Sequence, residues 1–286
     1  MATTFLEALH SGRVLLMDGA MGSELQRAGM QPGECYELWN LTHPDRVLAI
    51  HQAYVDAGAE VLLTNTFQAN PPAFAKHQLQ HQMDVICQSA VRLARQAGGI
   101  KTHILADIGP FKDTGDEVIR VVEGLSRTHD ILMETLSNFF QVESVAIRQR
   151  LLVSFTYLHN NSGGLQTFPG QNPEVVAQRA SALGVAALGV NCGRDITMDD
   201  CAEIIRRYRT VTDLPLFARP NAGTPTKIDN QWVYPRTPEQ MAAELPKLLE
   251  AGVSMVGGCC GTTPAHIAAF RRVVDDWNAK KHAARS

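Results

Sequence analysis

The sequence predicts an α/β fold, a single (β/α)8 barrel over residues 1–286, and three observations carry that expectation. Eight short β-rich runs alternate with longer helical patterns along the chain. Most of these runs are continuously apolar, as parallel strands buried on both faces must be. No Pro-, Gly- or Ser-rich linker and no shift in composition divides the 286 residues. An open doubly wound sheet is the alternative that the same alternation allows.

The predicted strands are residues 13–18, 60–65, 102–107, 130–135, 151–157, 186–191, 215–219 and 253–258. Helices fill the gaps. His43-Pro44-Asp45-Arg46 opens one with a proline in its first turn, and Ala57-Gly58 closes it. Residues 80–96 repeat apolar side chains at the helical period. Asn172-Pro173-Glu174 supplies an Asn N-cap followed by Pro. Residues 198–210, 237–250 and 263–277 complete the set, the second starting on the capping-box spacing Thr237-Pro238-Glu239-Gln240. Residues 111–128 read as a short helix or an irregular loop. The basic tail 278–286 is expected to fray.

Composition narrows the class of function. Hydrophobic residues make up 45% and charged residues 19%, the balance of a soluble globule. A net charge of −3 offers no field for nucleic acid or an anionic membrane. No basic start precedes an apolar run, and no stretch reaches the roughly 18 apolar residues of a membrane span. The six cysteines form no framework of a small secreted domain, so reduced thiols and a cytoplasmic location are expected.

Three of those cysteines carry the chemistry. Cys192 ends the run Gly189-Val190-Asn191-Cys192, and Cys259-Cys260 follow Val256-Gly257-Gly258. In a barrel both groups lie past strand ends at the C-terminal face, where barrel enzymes keep their active sites. Adjacent side chains on a regular strand point apart, so one ion can be gripped by both only if the chain bends. The flanking Gly257, Gly258 and Gly261 allow that. Three sulfurs leave one position of a tetrahedral ion open, which favours catalytic Zn2+ over a closed structural site. The same rim collects Asp18, Asn65, Glu134 and Asn221.

Asp18-Gly19-Ala20-Met21-Gly22, Thr64-Asn65-Thr66-Phe67, Gly189-Val190-Asn191-Cys192, Pro220-Asn221-Ala222-Gly223 and Gly257-Gly258-Cys259-Cys260-Gly261 occur in this order. In these motifs, across nearly the full length, the chain resembles the homocysteine S-methyltransferase family. That family includes betaine- and S-methylmethionine-dependent enzymes and the homocysteine domain of cobalamin-dependent methionine synthase. The resemblance implies zinc on Cys192, Cys259 and Cys260, with the homocysteine sulfur in the fourth position. It also implies that Asp18 and Glu134 help hold the amino acid.

The residues fit that chemistry. Zinc removes the thiol proton without oxidising the sulfur, and the thiolate then attacks an electrophilic methyl group. Asp18 and Glu134 can pair with the substrate ammonium. Backbone N–H groups of Gly19 to Gly22 can face its carboxylate. Asn221 either fills the vacant metal position through its side-chain oxygen or only shapes the turn after the seventh strand. Asn65 and Asn191 are candidate donors to the sulfurs. Trp39, Tyr36 and Phe67 line a donor pocket or simply pack. Cys35, Cys87 and Cys201 are expected to be structural. His77 and His81 have metal-like spacing without the Glu of a metalloprotease helix, so chance is the better reading.

Three further readings stand beside homocysteine methylation. One is methylation of another small thiol or selenol. Another is a zinc subunit that acts only with a corrinoid protein. The third is a closed structural zinc site. The methyl donor is left open among S-methylmethionine, S-adenosylmethionine, a betaine-like compound and a methyl-corrinoid. Chain length and motif spelling point to different members of that set.

Overall fold

In a computed structural model the described residues are 3–109, 132–136, 149–228 and 231–284, with 132–136 and 231 described by backbone alone. The predicted segment 111–128 lies outside them.

Each apolar run predicted as a strand supplies one. In chain order the strands are β1 (Leu15–Leu16), β2 (Val61–Leu63), β3 (His103–Ile108), β4 (Leu132–Leu136), β5 (Leu151–His159), β6 (Leu165–Thr167), β7 (Ala187–Asn191), β8 (Leu216–Ala218), β9 (Thr226–Ile228), β10 (Gln231–Val233) and β11 (Met255–Val256). Parallel pairing runs β1-β11-β8-β7-β5-β4-β3-β2. The ring closes through a parallel bridge between Met17 and Val61. There the Asp18 N–H donates to the Val61 carbonyl at 2.9 Å, and the Glu60 N–H donates to that of Leu16 at 2.7 Å. That closure excludes the open doubly wound sheet, which would leave β1 and β2 as edges. The sequence reading missed three strands: β6, antiparallel to β5, and the antiparallel pair β9–β10.

Alternation along the strands separates two cores. Leu15, Met17, Val61, Leu63, Leu105, Leu152, Phe217 and Met255 fill the barrel interior. A short helix, Phe5–Leu9, not foreseen from sequence, packs Phe5, Ala8 and Leu9 against them. Its Phe5 ring meets His103 at the start of β3, so this helix plugs the N-terminal end. Leu16 and Leu62 face outward, into the layer beneath the helices. A Cβ at Gly189 would stand 2.4 Å from the Phe217 ring, so the interior is filled to the point of requiring glycine there.

The helices begin where their caps predicted. Asn172 caps Pro173–Leu183, and capping boxes start Met198–Arg209 and Pro238–Glu244. The single helix expected over 237–250 is two, Pro238–Glu244 and Pro246–Ala251. Pro246 has no N–H to continue the ladder. The helix expected over 80–96 is Met83–Gly98, preceded by a tight turn at Gln80–Gln82. His77 follows the separate helix Pro71–Lys76, so His77 and His81 do not share a helical face.

The helix Pro264–Ala283 extends into the first part of the basic tail. Asn278 anchors it to β1: its Oδ1 accepts from the Val14 N–H at 2.8 Å, and its Nδ2 donates to the Val14 carbonyl at 2.9 Å.

Candidate active site at the C-terminal mouth

Past β11 the backbone is held from three sides. The Gly257 N–H donates to the Ala218 carbonyl at 3.1 Å, Gly258 to Asp18 at 2.9 Å and Cys259 to Pro220 at 2.9 Å. The glycines act in two ways. A Cβ at Gly258 would stand 2.2 Å from Thr262 Oγ1, so close approach excludes any side chain. Gly261 has φ +80, the left-handed region that ends the bend. This bend turns the adjacent Cys259 and Cys260 toward Cys192, which follows β7.

The three sulfurs lie within 4.8 Å of one another, and all are free thiols. Sulfurs sharing a tetrahedral zinc at 2.3 Å stand about 3.8 Å apart, so the donor set fits such an ion with little movement. Among the described residues no other group of three His, Cys, Asp or Glu side chains could hold a metal. Cys192 is pushed well up because it donates to Cys259 and Cys260 and because it is buried. Cys259 rises to about 11 as donation to Cys260 and burial outweigh the bond it accepts from Cys192. Cys260 falls to about 3 because Cys192, Cys259 and Tyr234 all donate to it.

The first and last motifs are neighbours in space. Thr262 Oγ1 accepts from the Ala20 N–H at 3.2 Å and donates to the Cys259 carbonyl at 2.7 Å. The Gly261 N–H donates to Ser23 Oγ at 3.1 Å. Tyr54 Oη reaches the carbonyls of Ala20 at 3.0 Å and Thr262 at 3.2 Å. Gly19 lies against Thr262 Oγ1 and Tyr54 Oη, each 2.8 Å from where its Cβ would be. Asp18 is buried, and its Oδ2 accepts from the Leu63 N–H at 2.8 Å. Its Oδ1 lies 3.6 Å from Arg219 Nη2. Arg219 also donates through Nε to the Gly258 carbonyl at 3.2 Å and through Nη2 to that of Gly19 at 3.5 Å. This buried cation was missed from sequence; its one signal is an Arg directly before Pro220-Asn221 in an otherwise apolar strand.

The remaining rim residues divide. Asn221 Nδ2 donates to the Gly193 carbonyl beside Cys192 at 3.5 Å, while its buried Oδ1 has no hydrogen-bond partner among the described residues. Asn65 differs from expectation: its Nδ2 donates to the Tyr36 carbonyl at 2.8 Å and to Asn40 Oδ1 at 3.1 Å, tying a neighbouring loop to β2 rather than serving the sulfurs. Asn191 Oδ1 accepts from Thr156 Oγ1 at 3.2 Å. Position 134 pairs in register with Asp107 and Leu152, and its side chain lies outside the described residues. Asp107, half-buried at the end of β3, is a second acidic residue at this level that the sequence reading passed over. Trp39 stacks on His43 under the Arg46 guanidinium, so its part is packing. Cys35, Cys87 and Cys201 are buried outside the cluster, and burial pushes them up to about 11, 12 and 12.

Comparison with known proteins agrees with this geometry. The family profile described as homocysteine S-methyltransferase matches residues 15–274. The homocysteine S-methyltransferase of Escherichia coli is 30% identical over 302 residues, covering 90% of this chain and 94% of that protein. The methionine synthase of Mycobacterium tuberculosis is 29% identical over 93% of this chain, but the chain spans about a quarter of that protein's length (25%). In structure, the homocysteine methyltransferase MmuM from Escherichia coli, in its metallated form, superposes with a TM-score of 0.70 at 24% identity, over 93% of this chain and 99% of that one. The chain belongs to the homocysteine S-methyltransferase family.

Proposed function

We propose that this chain is a zinc-dependent methyltransferase that methylates the sulfur of L-homocysteine. The observation that carries the reading is the meeting of Cys192, Cys259 and Cys260 within 4.8 Å at the barrel mouth of a chain of this family. Zinc, when bound, supplies a Lewis acid that holds a thiol as thiolate without oxidising it. Asn221 Oδ1, buried and without a hydrogen-bond partner among the described residues, is the chain's own donor for the remaining position before substrate arrives. Asp18, Asp107 and Glu134 supply carboxylates for the substrate ammonium, and Arg219 limits how much of the Asp18 charge is left for it. Gly19, which has no room for a side chain, lets backbone come close to the substrate carboxylate. In the reaction the homocysteine thiol gives up its proton. A sulfur lone pair then forms the S–CH3 bond as the methyl–donor bond breaks, its electrons remaining with the donor.

Zinc K-edge absorption with and without homocysteine tests this reading. Three sulfurs and one light atom should become four sulfurs. An unchanged shell, or no stoichiometric zinc, would overturn it.

A second reading keeps the site but takes the methyl group from a corrinoid-bearing partner protein. The match to a quarter-length segment of methionine synthase favours it. Methyl transfer from S-methylmethionine, S-adenosylmethionine or betaine by the purified chain alone would exclude it. Six free thiols suit a reducing cytoplasm. Among the described residues no helix is long and apolar enough to cross a membrane.

A further inference from the structure

The apolar interior of the barrel gives way to a polar layer just beneath the mouth. Barrel interiors are stacked in layers of four side chains, each layer drawn from alternate strands. Around this ring β1, β8, β5 and β3 alternate. Their inward residues Met17, Phe217, Leu152 and Leu105 all belong to the interior cluster. Two residues farther along each strand the same face comes round again. That places Arg219 on β8, Ser154 on β5 and Asp107 on β3 in the next layer toward the mouth. On β1 the place is taken by Asp18, whose carboxylate turns toward Arg219.

Ser154 is the member of this layer with nothing in the protein to satisfy it. It points inward with Leu152, because Val153 and Phe155 on either side pack into the outer core. It is fully buried, and its Oγ has no hydrogen-bond partner among the described residues. Its register partner on β7 is Gly189, where the Phe217 ring fills the side-chain space, so that wall offers an apolar surface. A buried hydroxyl without a partner is destabilising, and an alanine would fill the same place without that cost. Solvent comes close to this layer. Asp107 is half-buried, and Thr156, two residues beyond Ser154 on the same face, is exposed. Ser154 therefore lies in the floor of the mouth.

We infer that Ser154 is a binding residue for the amino-acid end of the acceptor, its Oγ accepting a hydrogen bond from the α-ammonium of homocysteine. The inference rests on the homocysteine reading above. The charges around Ser154 select the ammonium over the carboxylate. Asp107 stands in the same layer, and Glu134 pairs in register with both Asp107 and Leu152, on the strand between β3 and β5. Two acidic positions thus lie on that side. Arg219, the cation of the layer, lies on the other side and is engaged with Asp18 and with the carbonyls of Gly258 and Gly19. An ammonium carries three N–H donors, and Asp107, Glu134 and Ser154 supply three acceptors. A hydroxyl accepts and donates at once, so its own proton remains available to a carboxylate.

Calorimetry on the zinc-loaded full chain tests this, with wild type and Ser154→Ala each titrated with homocysteine and with 4-sulfanylbutanoate, the same thiol acid without its amino group. Ser154→Ala should bind homocysteine about 10-fold more weakly, the effect of one hydrogen bond to a charged group. It should bind 4-sulfanylbutanoate within about twofold of wild type, since that ligand has no ammonium to lose. Zinc content should not change. The thermal midpoint without substrate should stay level or rise, because the variant removes a buried polar group that lacks a partner. A fall in that midpoint would give the hydroxyl a structural role and overturn the proposal. Homocysteine affinity within about twofold of wild type, or an equal loss for both thiols, would also overturn it. A wild-type chain that binds neither thiol would instead overturn the homocysteine reading, and this inference with it.

Discussion

Arg219 and Asp18 face each other at 3.6 Å between the ends of β8 and β1, and both side chains are buried. The pair joins the first motif of the chain to the last, because the same guanidinium also holds the Gly258 carbonyl. Breaking one partner of a buried pair leaves the other charge uncompensated, at a cost of roughly 3–5 kcal/mol. Arg219→Leu should therefore lower stability by that order in urea unfolding, and Asp18→Asn should cost less when added to Arg219→Leu than when made alone. Additive effects of the two substitutions would show that the pair does not act as a unit.

Cys192→Ala, Cys259→Ala and Cys260→Ala should each remove most of the bound metal and all methyl transfer, measured as zinc per chain by elemental analysis. Cys201→Ala is the control, since that thiol is on the buried face of the helix Met198–Arg209 and outside the cluster. Stoichiometric zinc in the Cys260 variant would remove it from the ligand set.

The register pair Asp107 and Glu134 should matter for the amino-acid end of the substrate and not for the metal. Asp107→Asn and Glu134→Gln should each weaken homocysteine binding about 10-fold, the loss of a charge-assisted hydrogen bond of ~1.5 kcal/mol. Calorimetry checks this, with zinc content unchanged. Wild-type affinity in both variants would place the ammonium elsewhere.

His51 sets an acid limit on stability. It is fully buried in the helix Pro44–Asp56, neither ring nitrogen has a hydrogen-bond partner among the described residues, and burial pulls it down to about 4. A group whose folded pKa is depressed contributes stability above its unfolded value, near 6.5, and that stability is lost as pH falls toward 4. The span corresponds to roughly 3 kcal/mol. His51→Leu, similar in size and without a polar group to desolvate, should flatten the stability profile between these pH values in urea titrations. An unchanged acid limb would mean that other groups set it.

Asn278→Ala should destabilise the barrel by about 1–2 kcal/mol through the loss of two hydrogen bonds to Val14. The comparison is again urea unfolding. Loss of no more than a few tenths would mean that water replaces both bonds and that the last turns of the helix are dispensable.

The strands were legible because parallel barrel strands are buried on both faces, which leaves a run of apolar residues as its own signal, as at Leu151–Leu152–Val153 or Ala187–Leu188. Asn172 and Thr237 announced their helices because a cap is a local matter of one side chain and a few N–H groups. The strands β9 and β10 were not legible. They are three residues each, Thr226, Lys227 and Ile228 are all exposed, and the pairing depends on a base tied to distant residues. The last turns of the helix Pro264–Ala283 were not legible for a related reason: their composition is polar, while the contact that ties them down is between Asn278 and Val14.

By itself the sequence determined the barrel, the order of its elements and the identity of the three thiols, because burial periodicity, caps and thiol chemistry are properties of residues and their immediate neighbours. Only the tertiary structure decided what surrounds those thiols. Arg219 between Asp18 and Gly258, Tyr234 on Gly261, and the commitment of Asn65 to Tyr36 and Asn40 all join segments far apart in the chain. Closing the ring between Met17 and Val61 brings those segments together, and no local pattern records a contact that exists only once the ring is closed.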